Sequence, residues 1–266
     1  MSIKPNVLTI AGSDSGAGAG IQADLKTIQA LGGYGVCAIT ALTAQNGLRV
    51  AGIFPASPEF VTLQIQTIQE GFSLASAKTG MLFTAEIITA VACALKSKTF
   101  PLVVDPVAVS QSGYALLQDD AVAAIKKEIL PLCDLLTPNI PEAELFAGLK
   151  ITNTQDILTA GQKLLDLVPG AVLIKGGHLK NTLTVTDYLF QKNAAPQEFS
   201  MPHIETNNNH GTGCTLSAAL ATCLAQKLPL ESAVHKAQEF LNLALKTSQN
   251  PGLGAGPVNH SCLYEA

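Results

Sequence analysis

Charge is scarce in this 266-residue sequence: 14% of residues are charged, the net charge is −4, and there is no basic cluster. That argues against nucleic acid or an anionic membrane surface as the main partner. The six cysteines (Cys37, Cys93, Cys133, Cys214, Cys223, Cys262) show no C-x-x-C spacing, and the five histidines include no H-E-x-x-H pair. A disulfide framework and a zinc site are thereby disfavoured, and reduced, mostly buried thiols are expected. Long apolar runs are missing as well; residues 87–95 and 216–224 are too short, or too rich in Ser and Thr, to span a bilayer. The first apolar run is short and ends by Asp14, which predicts no signal peptide and a cytoplasmic protein. No G-x-x-x-x-G-K-S/T loop, internal repeat or low-complexity linker occurs, so any nucleotide is held by something other than a Walker loop.

What is present is ample core, 47% hydrophobic, arranged as alternating strand and helix patterns. Residues 6–11 read as a buried strand ending in glycine, and 12–20 as a Gly-rich turn. Ile21, Leu25, Ile28 and Leu31 then recur at helical spacing. Further strands are expected at 35–42, 75–79, 101–104, 135–137 and 171–174, with a hairpin from 182–190 and 198–203. Helices are expected around Val61 to Phe72 and over 86–95, 119–130, 156–168 and 231–248. The pattern predicts one α/β domain over 1–266, a largely parallel central sheet flanked by helices, with a small β-hairpin. In such sheets ligands sit at the carboxyl ends of the strands.

The chain's organising stretch is 207–222, NNNHGTGCTLSAALAT. A polar lead-in meets Gly211-Thr212-Gly213-Cys214 at the first turn of a helix, where unpaired N–H groups and the dipole favour an anion. The same dipole is expected to lower the Cys214 thiol pKa toward a usable thiolate. A Gly-rich helix start with a buried cysteine reads equally well from these residues alone. Asp105 stands at one strand end and Lys175, followed by Gly176-Gly177-His178, at another. Asn139 and Glu142 could orient a hydrated Mg²⁺, or Glu142 could simply favour the helix dipole. Gln45 suits a planar heterocycle's edge, or solvent. Gly18, Gly20 and Ala23 fit a loose dinucleotide fingerprint. No carboxylate follows between Asp24 and Glu59, which disfavours a dinucleotide. An anion cradle, a lysine, metal-orienting carboxylates and a base on one rim are the parts of a phosphoryl-transfer site.

Seven motifs (LTIAGSDSGAGAGIQADLKT, GVCAITALTAQN, KTGML, LTPNIPEAE, VLIKGGHL, HGTGCTLSAALA and GAGPVNH) together resemble the hydroxymethylpyrimidine/phosphomethylpyrimidine kinases of thiamine biosynthesis, in the ribokinase-like superfamily. The resemblance covers essentially the whole chain. It implies ATP- and Mg²⁺-dependent phosphorylation of 4-amino-5-hydroxymethyl-2-methylpyrimidine and then of its monophosphate, by a protein whose relatives are commonly homodimers. By matching motif, Gly211, Thr212, Gly213 and Cys214 would form the anion hole, with Cys214 where sugar-kinase relatives carry a basic Asp. Gln45, Gly12, Asp24, Met81 and Val107 would line the pyrimidine pocket. Asp105, Asn139, Glu142 and Lys175 would serve Mg²⁺ and the ATP phosphates, with Thr212 beside them. Gly47, Ala108 and Asn209 depart from the family's usual Thr, Met and Thr. Gly47 and Ala108 would enlarge the pocket, enough to admit pyridoxal. A pyridoxal kinase is thus the rival enzyme, and a non-catalytic pyrimidine or nucleotide sensor the rival of another class.

Overall fold

Side-chain alternation decides the layers. In the strand Leu102–Val104, Leu102 and Val104 enter one core cluster and Val103 the other, as a strand buried on both faces must. The computed structural model describes residues 4–108, 119–176 and 183–264; the predicted Gly177-His178 and the first two residues of the hairpin segment, 182 and 183, fall outside or at the edge of these. Six strands run parallel: β1 (Asn6–Asp14), β2 (Tyr34–Gln45), β4 (Leu74–Thr79), β5 (Leu102–Val104), β6 (Leu135–Leu136) and β7 (Ala171–Ile174). Antiparallel β3 (Val50–Pro55) closes one edge, and the hairpin β8 (Thr184–Phe190) with β9 (Gln197–Pro202) the other. The sheet order is β3-β2-β1-β4-β5-β6-β7-β8-β9. This is the α/β architecture that the alternating pattern predicts.

Helices α1 (Gly20–Ala30), α7 (Thr212–Ala225) and α8 (Leu230–Lys246) cover one face. The other carries α2 (Pro58–Gly71), α3 (Ala85–Leu95), α4 (Asp119–Ala124), α5 (Ile140–Ala147) and α6 (Thr154–Leu165). The central helix is α7, whose buried residues include Ala218, Ala219, Ala221 and Ala225. Those small side chains let it lie close on β1, β4 and β5 between α1 and α8, which carries its first turn to the carboxyl ends of the strands.

Three expectations change. The sequence reading has no strand at β3, whose Gly52, terminal Pro55 and mostly exposed residues give little signal; such features suit an edge strand. The helix expected over 119–130 is α-helical only to Ala124, then widens to a π turn (Ile125–Ile129) and tightens to a 3₁₀ turn (Leu130–Leu132). Pro131 lacks the N–H an α-helix would use there and crowds the preceding turn. All six cysteines are free, as expected, but only Cys133, Cys223 and Cys262 are buried; Cys37 and Cys214 are half-buried and Cys93 is exposed. Among the described residues no helix is long and apolar enough to cross a membrane.

One core feature escaped the sequence reading. Lys78 on β4 and Asp24 on α1 are both fully buried and paired at 2.8 and 2.9 Å, and the Thr9 hydroxyl of β1 donates to the same carboxylate. Burial pulls the Lys78 ammonium down, but Asp24, with smaller help from Cys214 and Asp105, raises it above the ordinary lysine range. Removing one partner strands the other's charge in the core. Lys78→Met is therefore expected to lower unfolding free energy at pH 7 by about 3–5 kcal/mol. Adding Asp24→Asn, which keeps an acceptor for Thr9, should recover most of that loss. Urea unfolding of the two variants checks this; a Lys78→Met cost below about 1 kcal/mol would mean that the pair is not truly desolvated.

Candidate active site

The parallel strands deliver their polar ends to one rim. Asp105 follows β5, Asn139 follows β6 and Lys175 follows β7, with the Lys175 N–H bonded to Pro138 O at 2.8 Å. Lys175 Nζ meets Asp105 Oδ1 at 3.0 Å. The other oxygen, Oδ2, accepts from Ser217 Oγ of α7 at 3.3 Å. Burial disfavours the Lys175 ammonium, yet Asp105 and then Glu142 more than reverse this and raise it. For Glu142 burial wins over the pull of Lys175, so its carboxyl is raised.

Asn139 and Glu142 form a capping box at the start of α5. Asn139 Oδ1 accepts from Glu142 N at 2.9 Å, while Glu142 Oε2 accepts from Asn139 N at 2.9 Å. Glu142 Oε1 also accepts from Ala108 N at 3.1 Å. Both readings of Glu142 are thus compatible: it caps the helix and lies in the electrostatic field of Lys175. Val107, just before Ala108, has φ 41, a left-handed conformation that costs a β-branched residue energy and commonly marks a functional site. Among the described residues no group of three His, Cys, Asp or Glu forms a metal cage. Each oxygen of Asp105 and Glu142 nevertheless keeps a lone pair, which suits Mg²⁺ that brings most of its own ligands.

At the start of α7, Gly211 has φ +84, and a Cβ there would collide with Gly18 O. The two glycine loops therefore touch backbone to backbone, which only glycine permits here. A Cβ on Gly213 would sit 3.3 Å from Asp105 Oδ2 and 3.5 Å from Lys175 Nζ. The bare backbone at Gly213 thus faces the Asp105–Lys175 pair across a gap about one atom wide. The hydroxyl-bearing Thr212 opens the same turn.

Cys214 departs from expectation. Burial pushes its thiol up to about 11; Lys78 pulls it down, Asp24 and Asp105 push it up, and the Gly20 N–H bonded to sulfur pulls it down. The expected lowering by the α7 dipole is outweighed, so the free protein holds a thiol rather than a thiolate. Asp24 is fully buried and held by Lys78 and Thr9, so its side chain presents no exposed surface in the free protein. Gly12 and Met81 do adjoin, since a Cβ on Gly12 would meet Met81 Cε at 2.5 Å. The extra room expected at Gly47 is absent. A Cβ there would lie 2.5 Å from Leu253 O and 2.7 Å from Ala255 O, because the C-terminal Gly/Pro-rich tail packs over it. Ala108 is likewise buried.

Asp14, which the sequence reading passed over, and His210, which it placed only in the polar lead-in and as an alternative proton acceptor, organise the rim. The Asp14 carboxylate accepts from Gly16 N (2.8 Å), Gly18 N (3.1 Å) and Ala19 N (2.8 Å), and meets His210 Nε2 at 2.9 Å. Burial would raise its pKa, but His210, Ala19 and Gly16 together hold it below the usual carboxylate range. An acid inside a run of glycines is the signal for such a turn-capping role. His210 in turn lies 3.3 Å from the Gln45 amide. For Lys78 the signal is one charge in an otherwise uncharged strand, LASAKT, which demands a partner.

Comparison with known proteins is consistent with this geometry. The family model described as "Phosphomethylpyrimidine kinase" matches residues 14–259. The hydroxymethylpyrimidine/phosphomethylpyrimidine kinase of Haemophilus influenzae is 45% identical over 98% of this chain and 98% of its own length. The thiamine biosynthesis bifunctional protein ThiED of Geobacter sulfurreducens is 46% identical over 96% of this chain, which spans 52% of that longer protein. Among solved structures, an ADP complex of Bacillus subtilis pyridoxal kinase superposes with a TM-score of 0.90 at 33% identity, covering 99% of this chain and 100% of the other.

The raised Cys214 thiol has a direct chemical consequence. Only thiolate is alkylated, so a thiol raised from 9.0 to about 11 exposes less nucleophile at any pH below that value. Iodoacetamide labelling of Cys214, followed by peptide mass analysis, is expected to keep accelerating well past pH 9. A rate that levels off at or below pH 9 would show that the dipole and Lys78 prevail after all.

Proposed function

The chain belongs to the phosphomethylpyrimidine kinase family, and from that membership we propose that it is an ATP-dependent kinase of thiamine biosynthesis. It phosphorylates 4-amino-5-hydroxymethyl-2-methylpyrimidine and then converts the monophosphate to the diphosphate. The observation that carries this reading is the bare Gly213 backbone facing the Asp105–Lys175 pair. The gap at Gly213 is too narrow for a phosphate, but one seated over the α7 first turn beside it would meet helix N–H donors with the Lys175 ammonium close by.

In this reading Gly211, Thr212 and Gly213 hold the transferring phosphoryl group, and Lys175 neutralises charge on its oxygens. Mg²⁺, when bound with ATP, supplies further charge neutralisation, and Asp105 and Glu142 would hold it through their remaining lone pairs. Asn139 fixes Glu142 through the capping box. Gln45 takes the polar edge of the ring, with Gly12, Met81 and Val107 forming the rest of the pocket, while Asp24 supports it from below through Lys78. The attacking hydroxymethyl group must lose a proton, and Cys214 is the group we assign to receive it. A thiol has no site for a further proton, so the acceptor is the minor thiolate form, which burial disfavours and Lys78 and the Gly20 N–H favour.

The protein would work in the cytoplasm. A homodimer suits the apolar groove formed by β2, β3 and α2, where Leu42, Phe54 and Phe60 are 51%, 70% and 56% exposed. A pyridoxal kinase remains the alternative, given the likeness to the Bacillus subtilis enzyme, but the tail that fills the space at Gly47 removes one reason for it. A non-catalytic sensor has no use for the Lys175–Asp105 pair.

The deciding experiment is product mass analysis after incubation with ATP, Mg²⁺ and the hydroxymethylpyrimidine. Monophosphate followed by diphosphate is expected, with a kcat/KM above that for pyridoxal. Monophosphate alone in excess ATP would refute the second step, and no pyrimidine-dependent turnover would favour the sensor. For Cys214→Ala, kcat is expected to fall at least roughly tenfold, a floor set below the about 10²–10⁴ of a positioned base, with KM for ATP little changed because the backbone donors remain. Full kcat in that variant would reduce Cys214 to packing.

A further inference from the structure

The hydrogen-bond network around Gln45 contains a mismatch whose resolution has a functional meaning. As placed, the Gln45 amide turns its nitrogen toward His210 Nε2 at 3.3 Å and its oxygen toward Thr43 Oγ1 at 3.3 Å. The same His210 Nε2 is 2.9 Å from Asp14 Oδ2. Asp14 already accepts three loop N–H groups, so it is an ionised acceptor, and His210 Nε2 must carry a proton to bond it. Two donors would then face each other across the His210–Gln45 contact. Thr43 tells the same story from the other end. Its single hydroxyl proton goes to Ser13 O at 2.9 Å, which leaves oxygen facing oxygen at Gln45. A half-turn of the amide mends both contacts at once. The oxygen then takes the longer arm of the His210 Nε2–H bond, forked between Asp14 at 2.9 Å and Gln45 at 3.3 Å, and the NH₂ donates to Thr43. Amide ends are assigned from their neighbours in this way.

We propose that Asp14 and His210 are positioning residues that, with Thr43, lock the Gln45 amide in this orientation and thereby make the site select an amino over an oxo heteroaromatic ring. After the half-turn one lone pair of Gln45 Oε1, on the His210 side, and one N–H, on the Thr43 side, remain free. A 4-aminopyrimidine edge offers a donor amine next to an acceptor ring nitrogen, which matches that order. The 4-oxo analogue offers an acceptor oxygen next to a ring N–H, which is the reverse. An amide free to turn would serve both rings, whereas a locked one leaves the oxo ring with two mismatched contacts. A site that hydrogen-bonds its substrate rejects an unpaired analogue far more strongly than a merely apolar site does. The inference rests on Gln45 reading the ring, as proposed above.

The test is the ratio of kcat/KM for 4-amino-5-hydroxymethyl-2-methylpyrimidine to that for its 4-oxo analogue. It is measured in the wild type and in His210→Leu, His210→Gln, Thr43→Val and Gln45→Ala. His210→Leu keeps bulk without a donor, and its ratio should fall at least roughly tenfold, the scale of one misplaced hydrogen bond. His210→Gln restores a donor toward Asp14 and should recover much of the ratio. Thr43→Val releases the amide's other end and should lower the ratio independently, should His210→Leu fold poorly. A purely structural role would lower both substrates alike and leave the ratio unchanged. An unchanged ratio in folded His210→Leu and Thr43→Val, with Gln45→Ala losing discrimination, would overturn the lock while leaving Gln45 at the ring. An unchanged ratio in Gln45→Ala as well would overturn both, placing the ring elsewhere.

Discussion

The site depends above all on one carboxylate. Asp14 gathers the N–H groups of Gly16, Gly18 and Ala19, and so shapes the turn that feeds α1. Through His210 it ties that turn to the lead-in of α7. Because Gly18 and Gly211 then meet backbone to backbone, the N-termini of both helices are held at the same place. A charge-assisted bond to an ionised acceptor contributes about 1.5–3 kcal/mol, and here several share one acceptor. Without it, 12–20 would be a glycine-rich segment with a large entropy cost of ordering.

Beneath and beside this junction the chain concentrates charges it otherwise uses sparingly. Lys78–Asp24 is fully buried, and Lys175–Asp105 nearly so. Buried pairs are seldom retained for stability, since their desolvation offsets most of the Coulomb gain. Their placement suggests a different reason. Each lysine is raised by its carboxylates and stays charged, so two ammonium groups are held near the α7 first turn, one by Gly213 and one by Cys214, without needing to reorganise. Fixed charge in a water-poor site acts strongly on an anionic ligand.

The layered fold was legible because strands such as Ala171–Ile174 are unbroken apolar runs, while helices such as α8 carry a helical period. The position of Asp105, Asn139 and Lys175 on one rim followed from parallel strand ends alone. What stayed hidden depends on contacts distant in sequence. Nothing local shows that Asp24 faces a lysine 54 residues on, or that Leu253 and Ala255 carbonyls fill the space beside Gly47. The motif resemblance names Asp24 among the pocket residues without any statement of depth, and its full burial beside Lys78 is visible only in the fold.

Cys214 shows how magnitudes decide between opposing local effects. A helix dipole favours a nearby charge by about 0.3–1 kcal/mol at an exposed first turn, less than one pKa unit, since a unit is about 1.4 kcal/mol. Full burial shifts a group by up to about 3–5 units the other way. Cys214 sits at the α7 start but below the rim, beside Asp24 and Asp105, so the larger effect prevails. A protonated thiol cannot itself take up a proton, so Cys214 serves as a base only through its thiolate fraction. A loose transition state, in which the nucleophile's proton leaves late, lowers the demand on that fraction. Lys78, fully buried and paired with Asp24, is the neighbour that most favours it.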